Sequence, residues 1–515
     1  MKFRTVLNQL GLLSLVFGLV QLKLAAWSFV LWQFLRDRDE FESIIALCGS
    51  SVLCMAIGIL LRTYGGRSTA QVGRREAVML VATSWIIGSF LAAFPYWFWA
   101  MLVGPDFPEQ ALATYSACYF EAMSGLTTCG ATVLTDIESL PDGILLWRSL
   151  TQWIGGLGIV VLFVAILPSL GLGGKKLFMA ESTGPSPKGI RPHARETARV
   201  LLTIYLSLTT LAIMLLLLSG MDLFDAINHA FTSVSTAGFS TRNASIAAFE
   251  SRAVDLSLVL IMILSSVSFS LYYLMLKRDL RSLLQSTELR LFLALLVCGI
   301  IVTMSVLMVS GDPIQMINGS EEPASLLNAF FASLFTVTAM ATTTGYCDAN
   351  YATWSVLPLA IIFTLCFIGG CSGSTAGGAK VIRLWIVLRM TGGEIEREFR
   401  PNVIRPLKIS RSAVDVSVKI AAAALFFGFL IIIGLLTISL MVFESDHGID
   451  LTTAGSAALS SVCNIGPALG EVGPIDHYGW LSGPSKILLS IGMLLGRLEL
   501  FAVLALFNAN LWKSD

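Results

Sequence analysis

Long apolar stretches separated by short polar segments dominate the chain. A helix needs about 20 consecutive apolar residues to span a bilayer, and ten stretches reach that length. They are 6–35, 42–62, 76–103, 146–168, 197–219, 255–277, 288–310, 356–390, 413–443 and 485–510. The pattern therefore predicts an all-α polytopic membrane protein, in which the stretch 356–390 is interrupted.

Four further apolar segments are too short to cross a bilayer comfortably, and they lie between the long ones. They cover about 112–128, 223–236, 325–343 and 451–464. Short apolar segments are more often re-entrant or buried than spanning. Each runs into a glycine loop, with the sequences TTCGA at 127–131, STAGF at 235–239, TTTGY at 342–346 and CNIGP at 463–467.

The spacing of the loop glycines indicates an internal repeat. Gly130, Gly238, Gly345 and Gly466 are 108, 107 and 121 residues apart. The unit is a helix, a short helix, a glycine loop and a second helix, and repeats of this kind fix the architecture. We predict an N-terminal helix pair followed by four repeats, with the bounds 1–70, 71–195, 196–285, 286–405 and 406–515.

Lysine and arginine positions orient the predicted spans. With the N-terminus inside, the inner stretches hold Lys2, Arg4, Arg62, Arg67, Arg74, Arg75, Lys175, Lys176, Lys188, Arg191, Arg195, Arg199, Lys277, Arg278, Arg281, Arg290, Arg389, Arg397, Arg400, Arg405, Lys408, Arg411 and Lys513. The outer stretches hold only Arg36, Arg38, Arg148, Arg242, Arg252 and Lys486. This distribution satisfies the positive-inside rule if the short segments are re-entrant from the outer side. Both termini are then cytoplasmic.

Composition argues against several classes of function. Of the 515 residues only 13% are charged and the formal net charge is zero, so a nucleic-acid partner is not expected. The nine cysteines form no CxxC motif and the histidines are scattered, which argues against a disulfide framework and a zinc site. No HExxH or clustered carboxylates point to an enzyme. The run after Lys2 and Arg4 is too long for a signal peptide and predicts a retained helix.

The glycine loops suit a dehydrated cation. Glycine adopts positive φ at little cost, which lets consecutive carbonyls point into one cavity, and rings of such carbonyls replace the water shell of K⁺. A short helix before each loop aims its partly negative C-terminal end at that cavity. No carboxylate lies in the loops, so they favour a monovalent cation over Ca²⁺. One such glycine alone would indicate only a helix C-cap, but four at similar spacing favour a shared site.

Seven motifs together resemble the TrkH/KtrB family of bacterial potassium-uptake proteins. They are SGLTTCGATV (124–133), QWIGGLGIVVL (152–162), STAGFST (235–241), TTTGY (342–346), IGGCSGSTAGGAKVIR (368–383), NIGPALGEVG (464–473) and GRLE (496–499). The extra N-terminal helices make the chain more similar to TrkH. The resemblance implies four K⁺-channel-like M1–P–M2 units around a single central pore, a dimer, and a place in the bacterial inner membrane.

The resemblance also implies a selectivity filter made of backbone carbonyls, with K⁺ as the transported ion and no organic cofactor. Its residues would be Thr127, Thr128, Cys129, Gly130, Ser235, Thr236, Ala237, Gly238, Thr342, Thr343, Thr344, Gly345, Cys463, Asn464, Ile465 and Gly466. The fourth loop has Asn464 and Ile465 where the third has threonines, so strict fourfold symmetry is broken.

The interruption GGCSGSTAGGAK at 369–380 has two interpretations. It is either a close-packing stretch of small residues between membrane helices or a flexible loop that gates the pore, and the resemblance implies a gate. The gate residues would be Gly369, Gly370, Gly373, Ser374, Thr375, Gly377, Gly378, Lys380 and Arg497. Lys380 would anchor the loop or repel cations.

Arg497 lies in an apolar run, and an intramembrane arginine indicates a functional site with a partner. We expect the partner to be a carbonyl of the 369–380 loop or Glu121, since Glu499 is only two residues on and faces another side of the helix. A purely structural arginine bonded to backbone is the alternative.

Potassium uptake is the leading function. The alternatives are a secondary transporter of another small solute that binds at the 369–380 break, and a Na⁺-coupled K⁺ symporter of KtrB type. No nucleotide-binding motif is present, so the resemblance implies a cytosolic TrkA-type ring as regulatory partner. We expect that ring to dock on the basic inner loops at 175–199 and 389–411.

Overall fold

The computed structural model describes residues 3–35, 38–66, 73–104, 110–165, 194–276, 285–402, 407–409 and 412–509, together with Asp279, Arg281 and Leu283. Its α-helices are α1 Phe3–Leu35, α2 Arg38–Gly65, α3 Arg74–Ala92, α4 Phe94–Val103, α5 Tyr115–Leu126, α6 Asp142–Ala165, α7 Ala194–Leu218, α8 Leu223–Val234, α9 Arg252–Ser266, α10 Phe269–Leu276, α11 Thr287–Ser310, α12 Leu326–Ala341, α13 Val356–Ile368, α14 Val381–Phe399, α15 Val416–Phe443, α16 Leu451–Cys463, α17 Gly483–Arg497 and α18 Phe501–Leu504. Two short antiparallel hairpins pair Ile314–Gln315 with Glu321–Glu322 and Lys408–Ile409 with Ser412–Ala413.

Several helices are long and apolar enough to cross a membrane, which confirms the predicted multi-pass architecture. Within the described ranges these spans are Phe3–Gln33, Glu40–Gly65, Arg75–Val103, Ala198–Leu218, Thr287–Ser310 and Val416–Phe443. Two sharply bent helix pairs, α9 with α10 and α17 with α18, are long and apolar enough only when the two helices of each pair are taken together.

The bends correct the sequence prediction, which treats 255–277 and 485–510 as continuous helices. Helices α9 and α10 meet at 93°, because the backbone there pairs with the 369–380 loop: the Phe269 N–H donates to the Gly373 carbonyl at 3.0 Å. Helices α17 and α18 meet at 111°, where Glu499 and Leu500 adopt φ values of 53° and 56°. Neither break contains a glycine or proline that a sequence pattern would reveal.

The N-terminal helices α1 and α2 pack closely along small residues. A Cβ built on Gly58 would lie 2.9 Å from the Gly11 carbonyl oxygen, and the Ser51 hydroxyl donates to the Gly18 carbonyl at 2.7 Å. Such close backbone approach is typical of helix pairs in membranes. The predicted helix pair at the start of the chain is therefore one packed unit.

The four short helices, α5, α8, α12 and α16, begin in the same way. The side chains of Thr114, Asp222, Ser325 and Asp450 each accept a hydrogen bond from the backbone N–H three residues on. Such N-caps satisfy donors that a helix start leaves unpaired. All four helices are largely buried, so each short segment is a buried helix that ends at a glycine loop.

Candidate cation site

The four glycine loops share one backbone conformation. The residue two before each glycine is left-handed, with φ of 55° at Thr128, 54° at Thr236, 56° at Thr343 and 54° at Asn464. The loop glycines also have positive φ, from 75° at Gly345 to 108° at Gly466. Positive φ is rare for a β-branched residue such as threonine, so the surrounding structure imposes this conformation. Asparagine tolerates it more readily, and Asn464 therefore keeps the fold of its loop.

The loops contact one another in a closed ring that follows chain order. A Cβ built on Gly130 would lie within 3.0 Å of the Ala237 carbonyl oxygen. Gly238 is similarly close to Thr344, Gly345 to Ile465, and Gly466 to Cys129. Each glycine thus faces the carbonyl that precedes the glycine of the next loop, and the absence of a side chain permits this approach.

One carbonyl at the same position of each loop has no hydrogen-bond donor within the described part of the chain. These are the carbonyls of Thr128, Thr236, Thr343 and Asn464, and all four residues are buried. Buried carbonyls without partners are rare in proteins. The four carbonyl oxygens are therefore suited to bind a cation. The Asn464 side chain is not one of these ligands, because it contacts α17, where its amide donates to the Met493 carbonyl at 3.0 Å.

Other predicted filter carbonyls already accept hydrogen bonds. The Gln152 amide donates to Ala237 at 3.1 Å, the Gly378 N–H to Cys463 at 3.0 Å, and the Tyr478 hydroxyl to Gly466 at 2.8 Å. The sixteen residues named from the sequence are therefore not equivalent. Groups of three or more histidine, cysteine or acidic side chains placed to hold a metal ion are absent from the described residues.

The segment 369–380 lies against the ends of three short helices. Its Gly377 N–H donates to the Thr343 hydroxyl at 2.6 Å, and its Gly378 N–H to the last carbonyl of α16. The Thr375 hydroxyl bonds the carbonyls of Val234 and Ser265, each at 3.1 Å. The segment is thus a single loop in contact with the second, third and fourth loops or with the helices that lead to them.

Arg497 is buried at the end of α17 and joins this loop to α6. Its guanidinium donates to the Thr375 carbonyl at 2.8 Å and to the Gly155 carbonyl of α6 at 3.3 Å. Of the two predicted partners, the loop carbonyl is the one observed. The Glu121 alternative is wrong, because Glu121 forms a buried ion pair with Arg148 at 2.9 Å.

The neighbouring charges have other partners. Glu499 pairs with Arg383 at 2.7 Å, so it faces away from Arg497 as its position in the sequence predicts. The Lys380 ammonium donates to the Ala376 carbonyl within the 369–380 loop. Lys380 thus bonds the loop at its end.

Three tyrosines outside the predicted site residues donate hydrogen bonds to backbone carbonyls in or near the loops. The Tyr346 hydroxyl donates to the His229 carbonyl of α8 at 3.2 Å. The Tyr351 hydroxyl donates to Ala468, beyond the fourth loop, at 3.0 Å. Tyr478 contacts Gly466 and, through its N–H, the Thr132 carbonyl at 2.9 Å. The only sequence signal was an aromatic residue within about a dozen positions of a loop glycine.

Comparison with known proteins identifies the family. The sequence model for TrkH, described as a cation transport protein, matches residues 46–514. The chain belongs to the TrkH family. The Trk system potassium uptake protein TrkH of Halomonas elongata is 34% identical over 516 residues, which cover 100% of both chains. The TrkH of Escherichia coli K12 is 33% identical and covers 90% of this chain and 91% of its own.

A solved structure extends the match to three dimensions. The crystal structure of the potassium transporter TrkH from Vibrio parahaemolyticus aligns with a TM-score of 0.84 and 28% identity, and the alignment covers 100% of both chains. The resemblance inferred from seven motifs is therefore confirmed, and the TrkH-type fold extends over the whole chain.

Proposed function

We propose that this chain takes up K⁺ across the bacterial inner membrane through the ring of four loops. The observation that carries the proposal is the set of equivalent carbonyls on Thr128, Thr236, Thr343 and Asn464, buried in a closed ring with no donor among the described residues. Each loop belongs to one M1–P–M2 repeat with the bounds 71–195, 196–285, 286–405 and 406–515. The names of the relatives, all potassium uptake proteins, support the same ion.

The ring selects K⁺ by replacing its water shell. A dehydrated monovalent cation is bound by carbonyl oxygens and is further stabilised by the C-terminal ends of α5, α8, α12 and α16, each carrying about half a negative charge. The fixed spacing of the loops, set by glycines that face neighbouring carbonyls, determines how well an ion fits.

The 369–380 loop is the gate in this proposal. Its hydrogen bonds to Thr343, Cys463, Val234 and Ser265 hold it against the filter, and Arg497 fixes it through Thr375. A hydrogen bond to a charged group contributes about 1.5–3 kcal/mol. The closed state is thus stable while it depends on a few identifiable contacts.

The proposed assembly is a homodimer with cytoplasmic termini that docks a cytosolic TrkA-type nucleotide-binding ring. The positive-inside distribution supports this orientation, and the relatives' designation as parts of a Trk system supports a multi-component assembly. Of the predicted docking stretches, 175–193, 403–406 and 410–411 lie outside the described residues.

The test is ion flux through purified protein in liposomes. With an outward K⁺ gradient, ⁸⁶Rb⁺ should accumulate, excess external K⁺ should block that accumulation, and equal Na⁺ should block it much less. Protein-dependent movement of another solute without ⁸⁶Rb⁺ uptake would contradict the proposal and favour the secondary-transporter interpretation. Empty liposomes and heat-unfolded protein serve as controls.

A further inference from the structure

We call the contact between two neighbouring loops a seam. One face of helix α6 lies in the seam between the first and second loops. Arg148, Gln152, Gly155 and Gly156 follow the spacing i, i+4, i+7 and i+8, so they lie on one side of this helix. Three of them belong to the QWIGG sequence at 152–156, in which only the Gly155 carbonyl, bonded by Arg497, has been given a role so far.

Gln152 bonds the second loop on both sides of its glycine. Its amide nitrogen donates to the Ala237 carbonyl at 3.1 Å, and its amide oxygen accepts from the Phe239 N–H at 3.1 Å. Gln152 is fully buried and Gly238 lies between the two bonded residues. At the fourth loop the Ser460 hydroxyl instead bonds both the carbonyl and the N–H of Gly466 itself.

Arg148, one turn before Gln152, joins both loops. Its guanidinium pairs with Glu121 of α5 at 2.9 Å, and that carboxylate accepts from the Val133 N–H behind the first loop at 3.0 Å. The same guanidinium donates to the Ser240 carbonyl behind the second loop at 3.2 Å and lies 4.2 Å from the centre of the Phe239 ring.

The two glycines bring the helix into contact with both loops. A Cβ built on Gly155 would overlap the Leu126 carbonyl at the end of α5, and one on Gly156 would lie 2.8 Å from the Ser235 Cβ. Helix α6 therefore touches the first loop through Gly155 and the second through Gly156.

We infer that Gln152, supported by Arg148, is a positioning residue that fixes the distance between the first and second filter loops and thereby sets K⁺ over Na⁺ selectivity. The inference rests on the proposed function, because it concerns the same ring. At the other seams the described hydrogen bonds come from tyrosine hydroxyls, the Cys129 thiol, the Ser245 hydroxyl and backbone groups. The first seam instead carries the Gln152 amide and the Arg148–Glu121 ion pair.

The test measures how strongly K⁺ and Na⁺ each compete with ⁸⁶Rb⁺ uptake into liposomes, normalised to folded protein. The ratio of the two effects is the K⁺/Na⁺ ratio. Gln152→Met keeps the side-chain length and removes both hydrogen bonds, and we expect the ratio to fall about tenfold, equivalent to ~1.4 kcal/mol. Arg148→Lys keeps a charge beside Glu121 but loses the second guanidinium donor, which bonds the Ser240 carbonyl. We therefore expect a smaller fall in the K⁺/Na⁺ ratio. Thr209→Val is the matched control, because it removes the part-buried 3.1 Å hydrogen bond that the Trp153 indole of α6 donates to Thr209 of α7.

An unchanged ratio in folded Gln152→Met, with or without lower flux, would overturn the inference and leave Gln152 a packing residue. If that variant does not fold, an unchanged ratio in Arg148→Lys overturns it instead. A fall as large in Thr209→Val would also contradict it. Failure of the proposed function is separate, since it would appear as the absence of selective flux in the wild-type protein.

Discussion

The four glycine loops repeat one backbone, whereas the helices that follow them differ in every repeat. After the first loop, α6 runs unbroken over Asp142–Ala165. After the second, α9 and α10 meet at 93°; after the third, the 369–380 loop separates α13 from α14; after the fourth, α17 and α18 meet at 111°.

One chain thus combines four equivalent loops with three different helix interruptions. The three interruptions lie together, since Phe269 bonds Gly373 and Arg497 bonds Thr375 of the same loop. Four different loop sequences converge on one conformation because neighbouring loops constrain each other. A single loop, by contrast, is in contact with several repeats. We therefore assign ion selection to the ring and control of flux to the loop.

The strongest way to break the ring is to add a side chain at a loop glycine. Gly345→Ser should reduce ⁸⁶Rb⁺ uptake about a hundredfold, because serine at φ +75° is strained by ~1–3 kcal/mol and its Cβ would overlap the Ile465 carbonyl. Growth on low K⁺ of a strain without its own uptake systems, with liposome flux, measures this. Gly392→Ser, where a Cβ meets nothing within 4 Å, is the control. Normal uptake and selectivity in Gly345→Ser would refute the ring as filter.

The ring and the 369–380 interruption were more predictable from the sequence than the two helix bends. Glycine spacing and apolar length located the four short helices and their loops, because glycine and hydrophobic runs carry local signals. The bends at Val267 and Leu500 have no such signal, since contacts with the 369–380 loop and left-handed residues produce them. The Glu121–Arg148 pair joins residues that are 27 positions apart in the sequence. Only the fold brings the two side chains together, so the sequence did not predict the pair.

Removing the loop should act in the opposite direction from breaking the ring. Deleting Gly373–Gly378 should raise basal ⁸⁶Rb⁺ flux about tenfold or more, because the contacts with Cys463, Thr343 and Val234 are lost together, each net hydrogen bond contributing ~0.5–1.5 kcal/mol. The measurement is liposome flux per folded protein. Lower flux from well-folded deletion protein would show that the segment is packing material and not a gate.

Removing the Arg497 side chain should also raise basal flux, but less than the deletion does. Arg497→Ala should raise basal flux up to about tenfold, since it removes bonds to Thr375 and Gly155 at ~1.5–3 kcal/mol for a charged donor. Arg497→Lys, which keeps the charge, should raise it less. Combined with the deletion, Arg497→Ala should add little, because both remove one shared interaction. Strictly additive effects would mean that Arg497 does not hold the loop.

The smallest expected effect comes from the loss of one hydroxyl in the 369–380 loop. Thr375→Val removes bonds to Val234 and Ser265 without changing side-chain shape, and should raise basal flux a few-fold while leaving the K⁺/Na⁺ ratio unchanged. Thr364→Val is matched to it, because among the described residues the Thr364 hydroxyl bonds only the Ala360 carbonyl of its own helix. A change of selectivity in Thr375→Val would contradict the separation between ring and loop.

The most direct test of the central claim is to locate the cation. Crystals grown in Rb⁺ should show anomalous density inside the ring, within ligand distance of the carbonyls of Thr128, Thr236, Thr343 and Asn464, and that density should disappear in Gly345→Ser. Rb⁺ bound elsewhere, with none inside the ring of the wild-type protein, would contradict the claim that these four loops form the cation site.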